Sequence, residues 1–224
     1  TPTARDAGTE EPVMKFSPSL MAGLALSALL GGAQADTGTW AGFVGIDADA
    51  AEPGATQWHD TGPWTSDLLP DFGSASLGSF TQGASAWLSG ADLFVWKNSG
   101  GDVTGARAYW RVDGGAWQEL TLNWGSNVPL TVPGTASTTG GGDDQSWRLT
   151  GGQVDFLAGV QPGQHQLQVY FKALTNEGDR FNGTAAAPFA AGFSVSAVPE
   201  PATAVLWLLG LGAVGVGAAR RRAR

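Results

Sequence analysis

The chain has 224 residues, with 12 basic and 20 acidic side chains, 34 Gly and no Cys. That length holds one β-rich domain of ordinary size with extra segments, and ten Trp with ten Phe supply too much apolar area for a disordered chain. A formal charge of −8 opposes binding to nucleic-acid phosphates, and the lack of Cys excludes disulfide scaffolds, thiolate zinc sites, iron–sulfur clusters and cysteine nucleophiles.

Residues 1–13 are polar and precede the first Met, and they read as an upstream extension outside the fold. From Met14 the pattern is that of an export signal, residues 14–35. Lys15 supplies the positive start, residues 20–30 (LMAGLALSALL) form the apolar stretch, and Gly31-Gly32 break it. Ala33-Gln34-Ala35 then offers the small-x-small form that signal peptidase cleaves, after Ala35.

The body of the chain, residues 36–197, reads as all-β. Candidate strands are residues 40–46, 92–96, 106–112, 116–122, 153–158, 166–173 and 193–197. The pair 106–112 and 116–122 flanks Asp113-Gly114-Gly115, and Asp-Gly readily takes the positive φ that a hairpin turn requires. In 166–173, Leu167, Val169, Phe171 and Ala173 recur at period two, after a Pro162-Gly163 turn. No segment of the body carries a helical stripe of more than two turns. Short strands between Gly- and Pro-rich turns predict an antiparallel β-sandwich. The sequences YWRVDGGAWQELTL and PGQHQLQVYFKA are similar to paired strands of immunoglobulin-like or fibronectin type III-like surface modules, and a jelly roll would serve as well.

Residues 36–198 hold six of the basic and sixteen of the acidic side chains, a net charge of −10. Such a surface suits neutral glycans or divalent cations, and it also keeps an exported protein soluble. Nine Trp fall in this region. Trp110 and Trp117 lie three residues to either side of Asp113-Gly114, and a two-residue turn predicts that they face each other across the hairpin. Trp58 and Trp64, in the loop-like QWHDTGPWTSD, are the ones expected to be exposed. Trp58, Trp64, Trp110 and Trp117 are therefore the candidate glycan contacts, since flat indoles stack on sugar rings, with an aromatic core pair as the other reading of Trp110 and Trp117.

Asp47 and Asp49, two apart, and Asp143-Asp144 after three Gly are hard oxygen ligands of the kind calcium takes, or else solvated turn acids. No other cofactor is indicated. His59 stands beside Asp60, but neighbours on an extended chain point to opposite sides. Gly83-Ala-Ser85-Ala-Trp87 falls one residue short of a G-x-S-x-G elbow, and no P-loop, dinucleotide fingerprint or H-E-x-x-H occurs. The pattern favours a non-catalytic protein. A glycoside hydrolase would need two carboxylates at a suitable distance, with Glu119 and Glu177 as candidates. Self-association through β-edges is the remaining alternative.

The last segment, residues 198–224, has three parts. Pro199-Glu200-Pro201 precedes eighteen uncharged residues, 202–219, and the cluster Arg220, Arg221, Arg222 and Arg224 closes it. The apolar run predicts a short transmembrane helix, with the Arg cluster on the cytoplasmic side and the body of the protein across the membrane. This order of features resembles the PEP-CTERM sorting signal of Gram-negative bacteria. The resemblance implies recognition by an exosortase, which removes or exchanges the tail after transient membrane anchoring. It also implies delivery to the cell surface or extracellular matrix, in association with exopolysaccharide and biofilm. Nucleic acid is not an expected partner.

Overall fold

The computed structural model describes residues 36–48, 56–62, 68–98 and 100–198. The export signal, Asp49, Trp64, the Pro199-Glu200-Pro201 motif and the terminal Arg cluster lie outside the described residues. Both expected flanking helices lie there too, and among the described residues no helix is long and apolar enough to cross a membrane.

The protein is all-β. In chain order the strands are β1 (Thr37–Asp47), β2 (Gln57–Asp60), β3 (Ser76–Thr81), β4 (Trp87–Lys97), β5 (Val103–Val112), β6 (Gln118–Asn127) and β7 (Leu130–Thr131). They continue with β8 (Thr138–Thr139), β9 (Gln145–Arg148), β10 (Val154–Asp155), β11 (Gly163–Thr175), β12 (Arg180–Asn182) and β13 (Phe189–Ser196). Helix among the described residues is limited to one 3-10 turn, Phe72–Ser74, where the Asp71 side chain accepts the Gly73 amide as N-cap. Eleven strands form one sheet in the order β2-β1-β4-β9-β6-β5-β11-β13-β3, with β10 beside β4 and β12 beside β11; β7 and β8 form a separate hairpin.

Two features differ from the expected antiparallel sandwich. The sheet is mixed, because β3 pairs with β13 in parallel. These strands are more than a hundred residues apart, so no tight turn dictates their relative direction. The sheet is also continuous. Residues 118–122 of β6 pair with β5, and residues 123–127 pair with β9, with a register break between Trp124 and Ser126. β6 is the strand around which the sheet curls.

Curling sets β1 and β4 against β5 and β11 around one core. Val44, Leu88, Leu93 and Val95 from the first pair meet Ala106, Ala108, Leu167, Val169 and Phe171 from the second, with Phe72 and Phe156 filling between them. Period two governs both halves: Leu93 and Val95 join this core, while Phe94 points to the other face. There Ala41, Phe43 and Phe94 form a second apolar cluster, roofed by Leu130 and Val132 of the β7–β8 hairpin and its following turn. The strand expected over 153–158 shrinks to β10, because the Asp155 carboxylate accepts the amides of Ala86 and Leu157 and turns the chain. Phe156 and Leu157 thereby enter the core.

Candidate functional site

The hairpin between β5 and β6 decides which aromatic side chains meet. Asp113 (φ 50°) and Gly114 (φ 72°) form the turn, and the Gly115 amide donates to the Val112 carbonyl at 2.9 Å. The strands then pair Trp110 with Gln118 and Ala106 with Leu122. The turn alone would set Val112 against Gly115, so the strand register carries one extra residue on the β6 side. A one-residue shift exchanges the two faces of a strand. Trp110 and Trp117 consequently do not face each other. Trp110 packs against the core, and Trp117 lies on the outer face with Arg111.

On that outer face the Arg111 guanidinium sits 4.1 Å from the centre of the Trp117 ring. Tyr170 meets Trp117 edge-on at 4.8 Å and stacks on Tyr109 at 4.6 Å, with their planes 7° apart. Tyr109 and Tyr170 are directly opposite across β5–β11, so the strip Trp117–Tyr170–Tyr109 crosses three strands. Ionic contacts frame it: Arg107 with Glu119 at 2.9 Å, and Lys172 with Asp179 at 3.2 Å. Arg111 instead donates Nε–H to the Gln168 side chain at 2.6 Å. Burial raises the pKa of both tyrosines, and for Tyr109 the hydrogen bond to Glu119 raises it further, so both phenols stay neutral. Burial alone would lower the pKa of Lys172, but its bonds to Asp179 and Tyr109 outweigh that and hold it charged.

The same face continues along β11 through Gln168, Gln166 and Gln164. Gly192 stands opposite Gln166 on β13, and its missing side chain leaves a furrow of about 680 Å³ lined by these amides and Asp113. The Asp113 carboxylate closes the furrow's end, accepting the Gln166 amide at 2.8 Å and lying 2.5 Å from His165 Nδ1. That bond is the main cause of a raised His165 pKa; burial works against it, and the Gln161 carbonyl at Nε2 supports it. An aromatic strip beside a row of amides can stack on the apolar face of a pyranose and hydrogen-bond its hydroxyls.

The other candidates are dispersed. Trp58, expected to be exposed, is half-buried in the outer cluster, with its ring against Gly90 and Gly134. Among the described residues the exposed Trp is Trp124, at 55%. Alternation groups it with buried Leu122, but it falls where β6 leaves β5 for β9, so the pattern conceals its exposure. Asp47 is buried at the end of β1, Asp143 is exposed, and Asp144 accepts the Gly141 amide within its own turn at 3.0 Å. Among the described residues no group of three or more acidic or His side chains could hold a metal ion. His59 is buried against Phe72, and burial lowers its pKa despite the pull of Asp71. Asp60 faces the opposite side of β2.

Glu119 stands opposite Tyr109, level with Tyr170. Glu177 lies beyond the end of β11 at Thr175, roughly 17 Å further along the strand. There it binds Thr37 and Arg180. Glycosidase carboxylates stand about 5–10 Å apart, so these two do not form such a pair. Asp92 carried no sequence signal. Its burial raises its pKa to about 7, against the pull of Arg148 at 3.3 Å.

The model of the PEP-CTERM protein-sorting motif matches residues 197–222. No curated protein matches the chain. Among solved structures, a family 123 glycoside hydrolase from Clostridium perfringens, described for glycolipid glycan hydrolysis, shares 12% identity with a TM-score of 0.27. The match covers 60% of this chain and 24% of that one, so this chain spans about a quarter of its length, and the likeness is too slight to transfer fold or activity.

Proposed function

We propose that this chain, an exported protein sorted through its PEP-CTERM motif, is a non-catalytic component of the cell surface or extracellular matrix that contacts exopolysaccharide. The contact is the outer face of β6, β5 and β11. The observation that carries this reading is the Trp117–Tyr170–Tyr109 strip beside the Gln164–Gln166–Gln168 furrow, with half-buried Trp117 and Tyr109 flanking buried Tyr170. Signal peptidase removes residues up to Ala35, and an exosortase processes the transiently anchored tail near Pro199-Glu200-Pro201. The separation of Glu119 from Glu177 speaks against hydrolysis by that pair. Titrating the protein with the host's own exopolysaccharide, with calcium and with a chelator, tests the reading through Trp fluorescence. A saturable change that is weakened in Trp117→Ala supports it, and an unchanged titration in that variant refutes it. Loss of the change in chelator would bring the acidic loops at Asp47, Asp49, Asp143 and Asp144 into the site.

A second reading, self-association, draws on β3, which ends the sheet order and pairs with β13 alone among the described strands. It requires a mass that rises with protein concentration in the absence of any glycan.

A further inference from the structure

We propose a second carbohydrate subsite, in the hollow between Trp40 and Trp96 on the outer side of β1 and β4, that takes a neutral hexopyranose unit. β1 is irregular at this point. Thr39 pairs with Val95 and Ala41 with Phe94, which leaves Trp40 as an extra residue outside the ladder. Its ring leans on Phe94 at 5.3 Å. Trp96 is opposite Gly38, and its indole lies so close to that backbone that a Cβ at Gly38 would come within 2.4 Å of Nε1. Glycine therefore permits Trp96 to lie flat along β1.

The turn after β8 supplies the polar side. Thr139, Gly140 and Asp144 complete, with Thr39 and the two indoles, a hollow of about 410 Å³. Asp144 is held in place by the Gly141 amide and keeps acceptor capacity on its carboxylate. The Thr39 hydroxyl donates to the Phe181 carbonyl at 2.8 Å and still has lone pairs to offer. The indole N–H of Trp40, which lines the hollow, is buried with no partner among the described residues.

Two indoles suit the C–H face of a pyranose, and a carboxylate with two hydroxyls suits its O–H groups. Among the described residues the one charged side chain lining the hollow is an acid, so a uronate or sulfated sugar is repelled and a neutral sugar is preferred. The hollow and the Trp117 face belong to opposite halves of the curled sheet, with the core between them, so the two look outward in different directions. One molecule then bridges two polysaccharide chains. That bridging rests on the proposed function of the Trp117 face, whereas the hollow stands on its own lining.

The test uses the whole chain, with cellotetraose as neutral probe and a galacturonate tetramer as acidic probe, followed by calorimetry. Trp117→Ala removes the first face and leaves the hollow. Thr139→Tyr fills the hollow and leaves both indoles in place. Asp144→Asn keeps its shape and removes its charge, and near-ultraviolet circular dichroism checks the fold of each variant. Trp117→Ala should still bind cellotetraose. Adding Thr139→Tyr should weaken that binding about tenfold or more, and adding Asp144→Asn should narrow the preference over the acidic probe. Cellotetraose binding that Thr139→Tyr leaves intact, or no cellotetraose binding by Trp117→Ala, overturns the subsite. If Thr139→Tyr abolishes cellotetraose binding while Trp117→Ala changes nothing for either probe, the subsite holds and the Trp117 face falls.

Discussion

Asp113 holds the candidate site together, and its replacement tests that directly. Its carboxylate accepts the Gln166 amide and contacts His165, joining the β5–β6 turn to the start of β11, and its backbone is left-handed at φ 50°. Asp113→Ala removes both bonds. Hydrogen bonds to a charged group are worth about 1.5–3 kcal/mol, and half exposure of this side chain brings that to about 1–2 kcal/mol. Ala in a left-handed conformation adds roughly 1 kcal/mol. A loss of about 2–3 kcal/mol lowers Tm by roughly 5–10 °C for a domain of this size. Asp113→Asn keeps the turn and the Gln166 bond, so its cost should be near 1 kcal/mol and should depend on pH. The His165 pKa is raised in the folded protein. The contribution of its charged pair is therefore complete below the ordinary histidine value of 6.5 and is lost as pH rises through the higher folded value. Thermal unfolding of the three proteins across pH 5–9 is the assay, in ~0.1 M salt. Equal, pH-independent losses for Ala and Asn would refute the role assigned to the carboxylate.

Other outcomes follow from the same geometry. Deleting Gly115 removes the extra residue of the hairpin and sets Val112 against Ala116, which keeps Ala106 opposite Leu122 and the faces of β6 unchanged; cooperative unfolding by circular dichroism should be retained, and its loss would refute the extra residue assigned to Gly115. Phe171→Ala, in the core, should cost about 3–5 kcal/mol in denaturant titration, whereas Trp117→Ala should cost about 1 kcal/mol or less and act on binding. Asp92 has a folded pKa raised to about 7 from 3.8, so its ionisation destabilises the fold increasingly as pH rises across that interval. Asp92→Asn should accordingly raise Tm at pH 8, with a gain that fades toward pH 4. Replacing Pro199-Glu200-Pro201 by Ala should leave the protein uncleaved in the inner membrane, and normal processing on an immunoblot would refute exosortase reading of that motif.

The sorting tail was legible as linear text because a processing enzyme reads a short segment, where order and charge suffice. The longer strands were legible for a related reason: alternation such as Leu167, Val169, Phe171 records burial of one face by local geometry. Short strands such as β2, β9 and β12 have too few residues to show a period. Alternation also says which residues share a face, but not what covers that face. Phe94 is fully buried because the β7–β8 hairpin folds over it, and Trp58 is half-buried for the same reason. Which aromatic residues meet was decided by register. A single extra residue at Gly115 placed Trp117 beside Arg111 and Tyr170 and sent Trp110 to the core. The parallel pairing of β3 with β13, and the curl about β6, arise from contacts between distant strands. Composition and local pattern thus determined the destination of the chain and its β character, while long-range packing selected the surfaces left open for a partner.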